Sequence, residues 1–535
     1  MPEQQIPSAG PWSDSTRYAA GGLVCSVDHL ASSAGVAALR AGGSAADAAI
    51  AASAVLAVTT QHMCGAGGDL LAVVHPGSGA PRALLAVGRA GSGSDADRLR
   101  SDGHERMPFR GDIRSVTVPG CIDGWLALHA AHGRLPLTEV LGPAITCATD
   151  GFPASPLLAT AMASVAALPG GEDFAVPGAT AGTLLRRPRL GAALAAIAVE
   201  GREAWYGGAF GQGLLALGDG LFTEADLARD LAEWSDPAAV SIGDLTVLST
   251  PAPTAGYLVL AGAVVADRIG AWSAAVNGDP HLLVEAARVT GYDRPQRLAD
   301  DVEWEALVDP ADLAERAARI DPDRALELKA PTEAGGTIYL CAADRDGMVV
   351  SLSQSNAAGF GAHIAVPEVG VFLQNRGIGF SLAPGHPAEL RPGARPTHTL
   401  CPSMLIGPGG VPVTAFGTMG GDSQPQILLQ LMAGLVAGRT PAAVLEQPRW
   451  AVTGPRADGF DAWEPWPDGA VATTIDLESD VPGEWESALV ERGHRVTRAA
   501  RGRGFGHAHL VRRDAEGLLA GASDPRAGTG DAQGL

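Results

Sequence analysis

The sequence predicts an α/β protein built from layers of sheet and helix, and three observations lead to this class. The chain has 535 residues, of which 46% are hydrophobic, enough for two domains or one large layered unit. Residues 45–58 are rich in alanine and carry one charge, Asp47, so a helix there is expected to be buried against a sheet. Residues 337–343 and 348–353 flank an Asp-Arg-Asp-Gly turn, which is typical of a β-hairpin.

The remaining elements follow from periodicity and from Gly, Pro and Ser signals. Ser44 is the predicted N-cap of the alanine-rich helix, and residues 155–250 alternate helical and loop patterns. Further strands are predicted at residues 70–74, 83–87 and 371–377. Further helices are predicted at residues 27–40, on both sides of a turn at 135–137, at 258–266, within 300–329 and at 426–436.

The charge balance limits the classes of partner. Lys and Arg number 38 and Asp and Glu number 59, so the net charge is −21, and no basic patch stands out. This argues against nucleic acid or an anionic membrane as a partner. Residues 1–5 show no basic and apolar signal pattern, and the apolar run at 45–58 is too short to span a bilayer. We therefore expect a cytoplasmic protein.

The six cysteines are far apart in the sequence, and none of them forms a Cys-x-x-Cys pair. Neither a zinc cluster nor a dense disulfide framework is indicated. We expect neither a metal nor a cofactor.

Thr337 opens the first strand of the predicted hairpin, directly after Gly335 and Gly336. If the Gly336–Thr337 bond were cut, Thr337 would carry a free α-amine that could act as general base for its own hydroxyl. The alternative is that a threonine simply begins a strand, for which it has high propensity. The composition changes just before Gly335, so this is the best internal boundary and a place where a processing site could lie.

Two further stretches combine a structural and a chemical interpretation. Arg89 ends a buried-looking strand between glycines, where its guanidinium could bind a carboxylate or form an ordinary surface ion pair. Gly420 and Gly421 lie at a strand-to-helix junction, with Asp422 or Ser423 available as N-cap. Backbone N–H groups there would suit an oxyanion, although an ordinary tight turn has the same pattern.

Taken together, these stretches resemble the γ-glutamyltransferase family of N-terminal nucleophile hydrolases over nearly the whole chain. The matches are, in order, Gly42-Gly43-Ser44-Ala45-Ala46-Asp47-Ala48-Ala49, Gly67-Gly68, Arg89, Val118-Pro119-Gly120, Pro251-Ala252-Pro253, Asp346-Gly347, Phe360-Gly361, Gln374-Asn375, Arg395-Pro396 and Met419-Gly420-Gly421. So many ordered matches favour the chemical interpretation of Thr337, Arg89 and Gly420-Gly421.

The resemblance implies a four-layer αββα fold made as an inactive precursor. The precursor would cut itself before Thr337 into a large subunit of residues 1–336 and a small subunit of residues 337–535. Thr337 would then be the nucleophile, and Gly420 and Gly421 would form the oxyanion hole. Ser355 would support processing and the nucleophile's amine, and Arg89 would bind a substrate carboxylate. Asn356 lies one position from the family's substrate-contacting asparagine.

The departures from the family pattern bear on the substrate. Where γ-glutamyl enzymes have Asn-Gln-Met-Asp-Asp-Phe, residues 375–380 read Asn-Arg-Gly-Ile-Gly-Phe, so Arg376 is gained and Gly379 replaces the acid that binds an α-ammonium. His398 and Thr399 replace the paired serines that bind an α-carboxylate. This pattern resembles the cephalosporin-acylase-like and oxamate-amidohydrolase-like branch, so we expect an anionic or neutral acyl group.

The expected activity is therefore hydrolysis of an amide of a short, carboxylate-bearing acyl group, such as a glutaryl or oxalyl amide. Three alternatives remain. One is a C–C bond hydrolase that removes an oxalyl-type fragment in a natural-product pathway. The others are a γ-glutamyl hydrolase or transpeptidase and an unprocessed, non-enzymatic scaffold.

Overall fold

The computed structural model describes residues 15–328, 336–453, 473–502 and 504–535. The predicted boundary before Gly335 lies outside these residues. The strands of the described residues are β1 (Arg17–Ala19), β2 (Gly22–Ser26), β3 (Asp69–Pro76), β4 (Arg82–Ala86), β5 (Phe152–Pro153), β6 (Leu184–Leu185), β7 (Ala232–Ser235), β8 (Ala238–Ile242), β9 (Leu245–Ser249), β10 (Gly336–Asp344), β11 (Met348–Ala357), β12 (Ala365–Val366), β13 (Val371–Phe372), β14 (Ser403–Ile406), β15 (Val413–Thr418), β16 (Trp450–Thr453), β17 (Thr474–Glu478), β18 (Arg495–Ala499), β19 (Ala508–Arg513), β20 (Leu519–Ser523) and β21 (Asp531–Gly534).

The α-helices of the same residues are α1 (His29–Arg40), α2 (Ala45–Thr59), α3 (Ala96–Ser101), α4 (Cys121–His132), α5 (Leu137–Asp150), α6 (Pro156–Ala161), α7 (Pro188–Glu200), α8 (Ala209–Gly218), α9 (Glu224–Ala228), α10 (Gly256–Arg268), α11 (Ala271–Val276), α12 (His281–Gly291), α13 (Arg294–Arg297), α14 (Trp304–Leu307), α15 (Pro310–Ala318), α16 (Gln424–Val436), α17 (Pro441–Glu446) and α18 (Gly483–Glu491).

Two large sheets form the centre of the molecule. In the described part of the chain, sheet 1 has the strand order β21-β2-β10-β11-β3-β4-β7 and sheet 2 has the order β1-β20-β19-β15-β14-β9-β8. Helices α1, α2, α4 and α5 pack on the outer face of sheet 1, and α10, α12 and α16 pack on the outer face of sheet 2. The inner faces meet in a core that includes Tyr339 and Cys341 from sheet 1 and Met404 and Ala415 from sheet 2. The expected four-layer αββα fold is confirmed.

The predicted hairpin lies at the middle of sheet 1. β10 pairs antiparallel with both β2 and β11, and β11 pairs antiparallel with β3. Every residue of β11 is buried because both faces of the sheet are covered. The hairpin prediction is confirmed, and β11 continues past the predicted end at residue 353 to Ala357.

The alanine-rich helix also forms as expected. Ser44 is the N-cap of α2, and its hydroxyl and the Asp47 carboxylate form a capping box. All residues of α2 are buried, since small side chains let the helix lie close to sheet 1 and to neighbouring helices.

Two predictions about elements were wrong. Residues 155–250 contain β6, β7, β8 and β9 in addition to helices and loops, and β7, β8 and β9 lie at or near the edges of the two large sheets. Residues 371–377 form only the two-residue strand β13, because a 3₁₀ turn begins at Arg376. All six cysteines, each within the described residues, are free thiols. Among the helices described, none is both long enough and apolar enough to cross a membrane.

Candidate active site

Thr337 lies at the start of β10, where the regular pairing of the hairpin is interrupted. The register between β10 and β11 shifts between Gly336 and Ile338. Thr337 is fully buried, and its Oγ1 donates a hydrogen bond to Ser355 Oγ over 3.1 Å. The predicted nucleophile and the residue predicted to support it are therefore in contact.

Ser355 connects Thr337 to Arg376. Its Oγ also accepts hydrogen bonds from the Ala357 backbone N–H at 2.9 Å and from Arg376 Nη2 at 3.1 Å. Arg376 is only 3% exposed, and its Nη1 donates to Thr399 Oγ1 at 3.4 Å. The structure thus joins residues predicted for catalysis and for substrate binding into one chain of hydrogen bonds, Thr337–Ser355–Arg376–Thr399.

His398 is fully buried next to this chain, and both of its ring nitrogens are in hydrogen bonds. The Leu400 backbone N–H donates to Nδ1 at 3.3 Å, so Nδ1 is the acceptor, and Nε2 lies 3.3 Å from Asp69 Oδ2. Burial and the nearby Arg376 lower the pKa of His398 to about 4. His398 is therefore a neutral imidazole that donates its Nε2–H to Asp69, and both of its ring nitrogens are engaged within the protein.

Asp69, the first residue of β3, is a site residue that the sequence analysis missed. Its Oδ1 accepts hydrogen bonds from the backbone N–H groups of Gly88 at 2.9 Å and Gly120 at 3.2 Å and from Gln374 Nε2 at 2.8 Å. It is fully buried. A single carboxylate therefore fixes His398, the loop that carries Arg89 and the loop that carries Arg376. The sequence feature that could have identified Asp69 is an acid at the start of an otherwise apolar strand, directly after Gly67-Gly68.

The loop 420–421 follows β15 and lies at the Thr337 end of the sheets. Gly417 of β15 packs on the Tyr339 ring, since a Cβ on Gly417 would lie 2.2 Å from it. At the other end of β15, its first residue pairs with Arg513. That guanidinium lies 3.3 Å from the Cβ position of Gly347, in the hairpin turn farthest from Thr337. β15 therefore runs towards the start of β10.

The geometry of this loop requires glycine and places a helix N-terminus behind it. Gly420 has a φ of 142° and Gly421 a φ of 57°. Gly421–Ser423 forms a 3₁₀ turn, and Ser423 then precedes α16 as its N-cap residue. The Ser423 hydroxyl donates to the Gly420 carbonyl at 2.6 Å and accepts no hydrogen bond from the helix N–H groups. Asp422 forms a nearly buried ion pair with Arg294. Such a junction orients backbone N–H groups and a helix dipole towards an anion.

Arg89 lies just beyond β4 and does not join the Thr337 chain. Its Nη2 forms a 2.6 Å ion pair with Glu233, its Nη1 donates to the Gly393 carbonyl at 3.0 Å, and its side chain is 15% exposed. Asp300 lies 3.9 Å from Nη1. A substrate carboxylate would therefore compete with resident acids for this guanidinium.

Asn356 is separated from the other predicted site residues by the alternation of β11. Its Nδ2 donates to the Gln61 carbonyl at 3.0 Å. Its Oδ1 is buried and has no hydrogen-bond partner among the described residues. The structure places Asn356 against the segment between α2 and β3, beside Ser355 in sequence, and its side-chain hydrogen bond leads away from Thr337.

Gly379, at the position of the missing acid, is fixed by packing. A Cβ on Gly379 would lie 2.4 Å from the Thr397 carbonyl oxygen, and the Thr397 hydroxyl donates to the Gly379 carbonyl at 2.9 Å. Because any side chain here requires the backbone to move, an aspartate cannot simply be restored at this position.

One cluster with metal-ligand chemistry lies elsewhere in the described residues. Ligand atoms of His281, Glu285 and His494 all lie within 4.8 Å of one another. His281 Nδ1 and His494 Nε2 are 2.9 Å apart, and Glu285 binds Arg288 and the Leu326 backbone N–H. His281 Nε2 also lies 2.9 Å from the Asp321 carbonyl oxygen, so these contacts join α12 to the segments at residues 321–328 and 494 and account for the cluster.

The chain is similar to known proteins over nearly its whole length. The family model for gamma-glutamyltranspeptidase matches residues 31–534. The chain is 33% identical to the oxamate amidohydrolase proenzyme of Klebsiella pneumoniae subsp. pneumoniae, covering 94% of this chain and 97% of that protein. It is 31% identical to the acylase ACY 1 proenzyme of Pseudomonas sp. strain V22, covering 95% of this chain and 92% of that protein. The crystal structure of cephalosporin acylase from Bacillus halodurans superposes with a TM-score of 0.86 at 30% identity, covering 100% of this chain and 99% of that protein.

Proposed function

The chain belongs to the γ-glutamyltranspeptidase family, and from that premise we propose that it is a self-processing amide hydrolase whose nucleophile is Thr337. The observation that carries the proposal is the buried hydrogen bond from Thr337 Oγ1 to Ser355 Oγ at the start of β10. A hydroxyl held at the beginning of a strand, directly after the bond to be cut, is suited to both processing and catalysis.

Processing would use the hydroxyl of Thr337 on its own peptide bond. Oγ1 attacks the carbonyl carbon of Gly336, its proton passes to the Thr337 nitrogen, the C–N bond breaks, and the nitrogen leaves as the α-amine of Thr337. Water then hydrolyses the ester that joins Gly336 to Oγ1. The products are a large subunit of residues 1–336 and a small subunit of residues 337–535.

Turnover would repeat this chemistry on an amide substrate. The α-amine takes the proton of Oγ1 while Oγ1 attacks the acyl carbon, and the leaving amine departs with a proton. The loop 420–421, in front of the N-terminus of α16, would stabilise the negative oxygen of the tetrahedral intermediate. Water then resolves the threonyl ester and releases the acid.

The charges around Thr337 favour an acyl group that bears a carboxylate. Arg376 supplies the donors of the Thr337 chain, to Ser355 and to Thr399, and His398 is neutral. Asp69, the nearby acid, already accepts hydrogen bonds from the two loops and from His398. An α-ammonium would thus meet a guanidinium without a free acid to pair with it. Glutaryl and oxalyl amides fit, in line with the names of the oxamate amidohydrolase and cephalosporin acylase relatives.

The same charges disfavour a γ-glutamyl substrate, whose acyl group carries an ammonium. Cleavage of a C–C bond next to a carbonyl would use the same hydroxyl, loop and amine, so mass spectrometry of the products is needed to separate it from amide cleavage. The non-enzymatic scaffold is disfavoured by the family membership and by the ordered Thr337–Ser355 contact.

The test is an intact mass measurement of the purified protein under denaturing conditions. We expect two polypeptides that together account for the precursor, the smaller one starting at Thr337, and hydrolysis of glutaryl or oxalyl anilides in preference to γ-glutamyl anilides. Thr337→Ala should remain one inactive chain, whereas Thr337→Ser keeps a hydroxyl and should still be cut. Two polypeptides from Thr337→Ala would refute the assignment of Thr337 as the nucleophile.

A further inference from the structure

The loop 420–421 contains a buried backbone N–H group that has no acceptor. Gly421 is buried, and in the part of the chain that the structure describes the N–H groups of Gly420 and Gly421 form no hydrogen bond. Buried N–H groups without a partner are rare in folded proteins, because an unpaired group costs free energy comparable to a lost hydrogen bond. These two N–H groups are therefore available to a ligand.

The carbonyl of Gly420 is held by Ser423. It accepts hydrogen bonds from the Ser423 hydroxyl at 2.6 Å and from the Ser423 backbone N–H at 3.1 Å. The peptide bond between Gly420 and Gly421 is trans, and the C=O and N–H of a trans peptide point in opposite directions. Since the Gly420 carbonyl points towards Ser423, the N–H of Gly421 points to the opposite side of the peptide.

The two glycines do not fix this orientation by themselves. Gly420 has a φ of 142° and a ψ of 19°, and Gly421 has a φ of 57°. A half-turn of the peptide between them would give the ψ of Gly420 and the φ of Gly421 values that glycine also adopts. The turned peptide would present a carbonyl oxygen where the N–H now lies, and that oxygen would repel an anion. The hydrogen bond from the Ser423 hydroxyl favours the observed orientation.

The position of β15 places this loop at the level of Thr337. Gly417 packs on the Tyr339 ring, and β15 runs towards the start of β10. Thr337 lies two residues from Tyr339 in this direction, and Met419 lies two residues beyond Gly417. Because a strand rises about 3.3 Å per residue, both steps cover about 6.6 Å. The residue after Met419 is Gly420.

We propose that Ser423 is a positioning residue, whose hydroxyl holds the Gly420–Gly421 peptide so that the Gly421 N–H faces the oxygen that becomes negative during acyl transfer. The proposal rests on the function proposed above and extends it to a side chain that acts through the loop. The next residue of the turn, Asp422, is anchored by its ion pair with Arg294. Ser423 therefore acts on a turn that is also held by a second side chain.

The experiment uses the processed protein and ω-boronobutanoic acid, in which boron replaces the reacting carbon of a glutaryl group. Thr337 Oγ1 bonds to boron, the hydroxyl proton is released to water, and boron becomes tetrahedral and negatively charged. One of its hydroxyl oxygens then occupies the position of the oxyanion. Boron NMR distinguishes this adduct from the trigonal acid, and titration gives its dissociation constant. Glutarate is the matched ligand, since it carries the same chain but forms no tetrahedral adduct.

In Ser423→Ala we expect boronate binding to weaken roughly 3- to 10-fold, the effect of one neutral hydrogen bond, whereas glutarate binding changes less than about 2-fold. On a glutaryl anilide, kcat should fall by the same factor and KM should stay unchanged. Ser423→Thr keeps the hydroxyl and should stay near wild type. The control is Ser164→Ala, which removes a hydroxyl that donates to the Ala161 carbonyl at 2.8 Å in another 3₁₀ turn and should be neutral.

Equal losses for boronate and glutarate, or wild-type boronate binding in Ser423→Ala, overturn the proposal. If Ser423→Ala folds but is not cut, maturation is the readout, because cleavage at Gly336 also passes through a tetrahedral carbon. An uncut Ser423→Ala beside a cut Ser423→Thr supports the role of the hydroxyl, and failure of both variants to be cut contradicts it. Failure of the proposed function has a different signature, since wild-type protein would then form no tetrahedral boron adduct.

Discussion

Asp69 and His398 form a fully buried pair in which the imidazole Nε2–H donates to carboxylate Oδ2 over 3.3 Å. The other carboxylate oxygen holds the loops before Arg89 and Arg376 through Gly88 and Gln374. The pair therefore connects residues that are far apart in sequence into one wall of the site. The Asp69 carboxylate accepts several hydrogen bonds at once, so a substitution of Asp69 should disturb all of them.

Asp69→Asn should lower kcat/KM about 10- to 100-fold, the range for the loss of a hydrogen bond to a charged group. The amide keeps one acceptor oxygen, but its NH₂ group would face either His398 Nε2–H or the Gly88 and Gln374 donors. Steady-state kinetics, with circular dichroism to verify the fold, would measure this. Asp346→Asn in the hairpin turn, where the carboxylate is 53% exposed, is the control and should be nearly neutral. Wild-type kinetics in Asp69→Asn would mean that the carboxylate does not position the site.

Substitutions of Arg89 and of Glu233 are predicted to change KM in opposite directions. If Arg89 binds the substrate carboxylate, Arg89→Gln should raise KM about 10-fold or more with a smaller effect on kcat. Glu233→Gln should instead lower KM a few-fold, because it removes an acid that holds the guanidinium at 2.6 Å. The comparison is made on a glutaryl anilide. A rise of KM in both variants would show that the ion pair shapes the loop and that Arg89 does not bind the carboxylate.

Buried histidines should make the protein sensitive to mild acid. Burial lowers the pKa of His398 and His507 to about 4 and that of His62 and His509 to about 3. The unfolded chain takes up protons near pH 6.5, whereas the folded chain resists them. The stability from these neutral histidines is therefore complete above about pH 6.5 and is lost as the pH falls towards about 4, by about 1.4 kcal/mol per pH unit for each histidine.

Urea unfolding of the Thr337→Ala chain from about pH 7 to about pH 5 tests this slope, because a single chain avoids subunit dissociation. His507→Gln should flatten the dependence. A free energy of unfolding that is constant over this range would contradict the prediction.

The sequence predicted the elements whose patterns are strong. The hairpin at β10 and β11 and the helix α2 combine periodicity, turn residues and an N-cap, so their positions follow from local chemistry. The strands β8 and β9 were missed because they are only partly buried and lack a clear alternation. Asp69 could not be assigned, since its role depends on the register that places it beside Ser355, almost 290 residues away.

Arg376 was predicted to bind substrate, and its bond to Ser355 depends on a 3₁₀ turn that single-sequence patterns do not indicate. The roles in catalysis and binding predicted for the remaining site residues stay predictions. What the structure adds is which of them are in contact.

The interleaved order of strands determines how the protein would behave once its backbone is cut. In sheet 1 the strands β21, β10 and β11 come from after Thr337 and β2, β3, β4 and β7 from before it, and in sheet 2 β1, β8 and β9 likewise lie on both sides of strands from the later part. After cleavage, unfolding also separates two polypeptides, so refolding becomes a second-order reaction that dilution slows. The precursor would fold as one chain, whereas the cut protein would persist only for as long as unfolding is slow, so cleavage would turn the stability of this fold from an equilibrium property into a kinetic one.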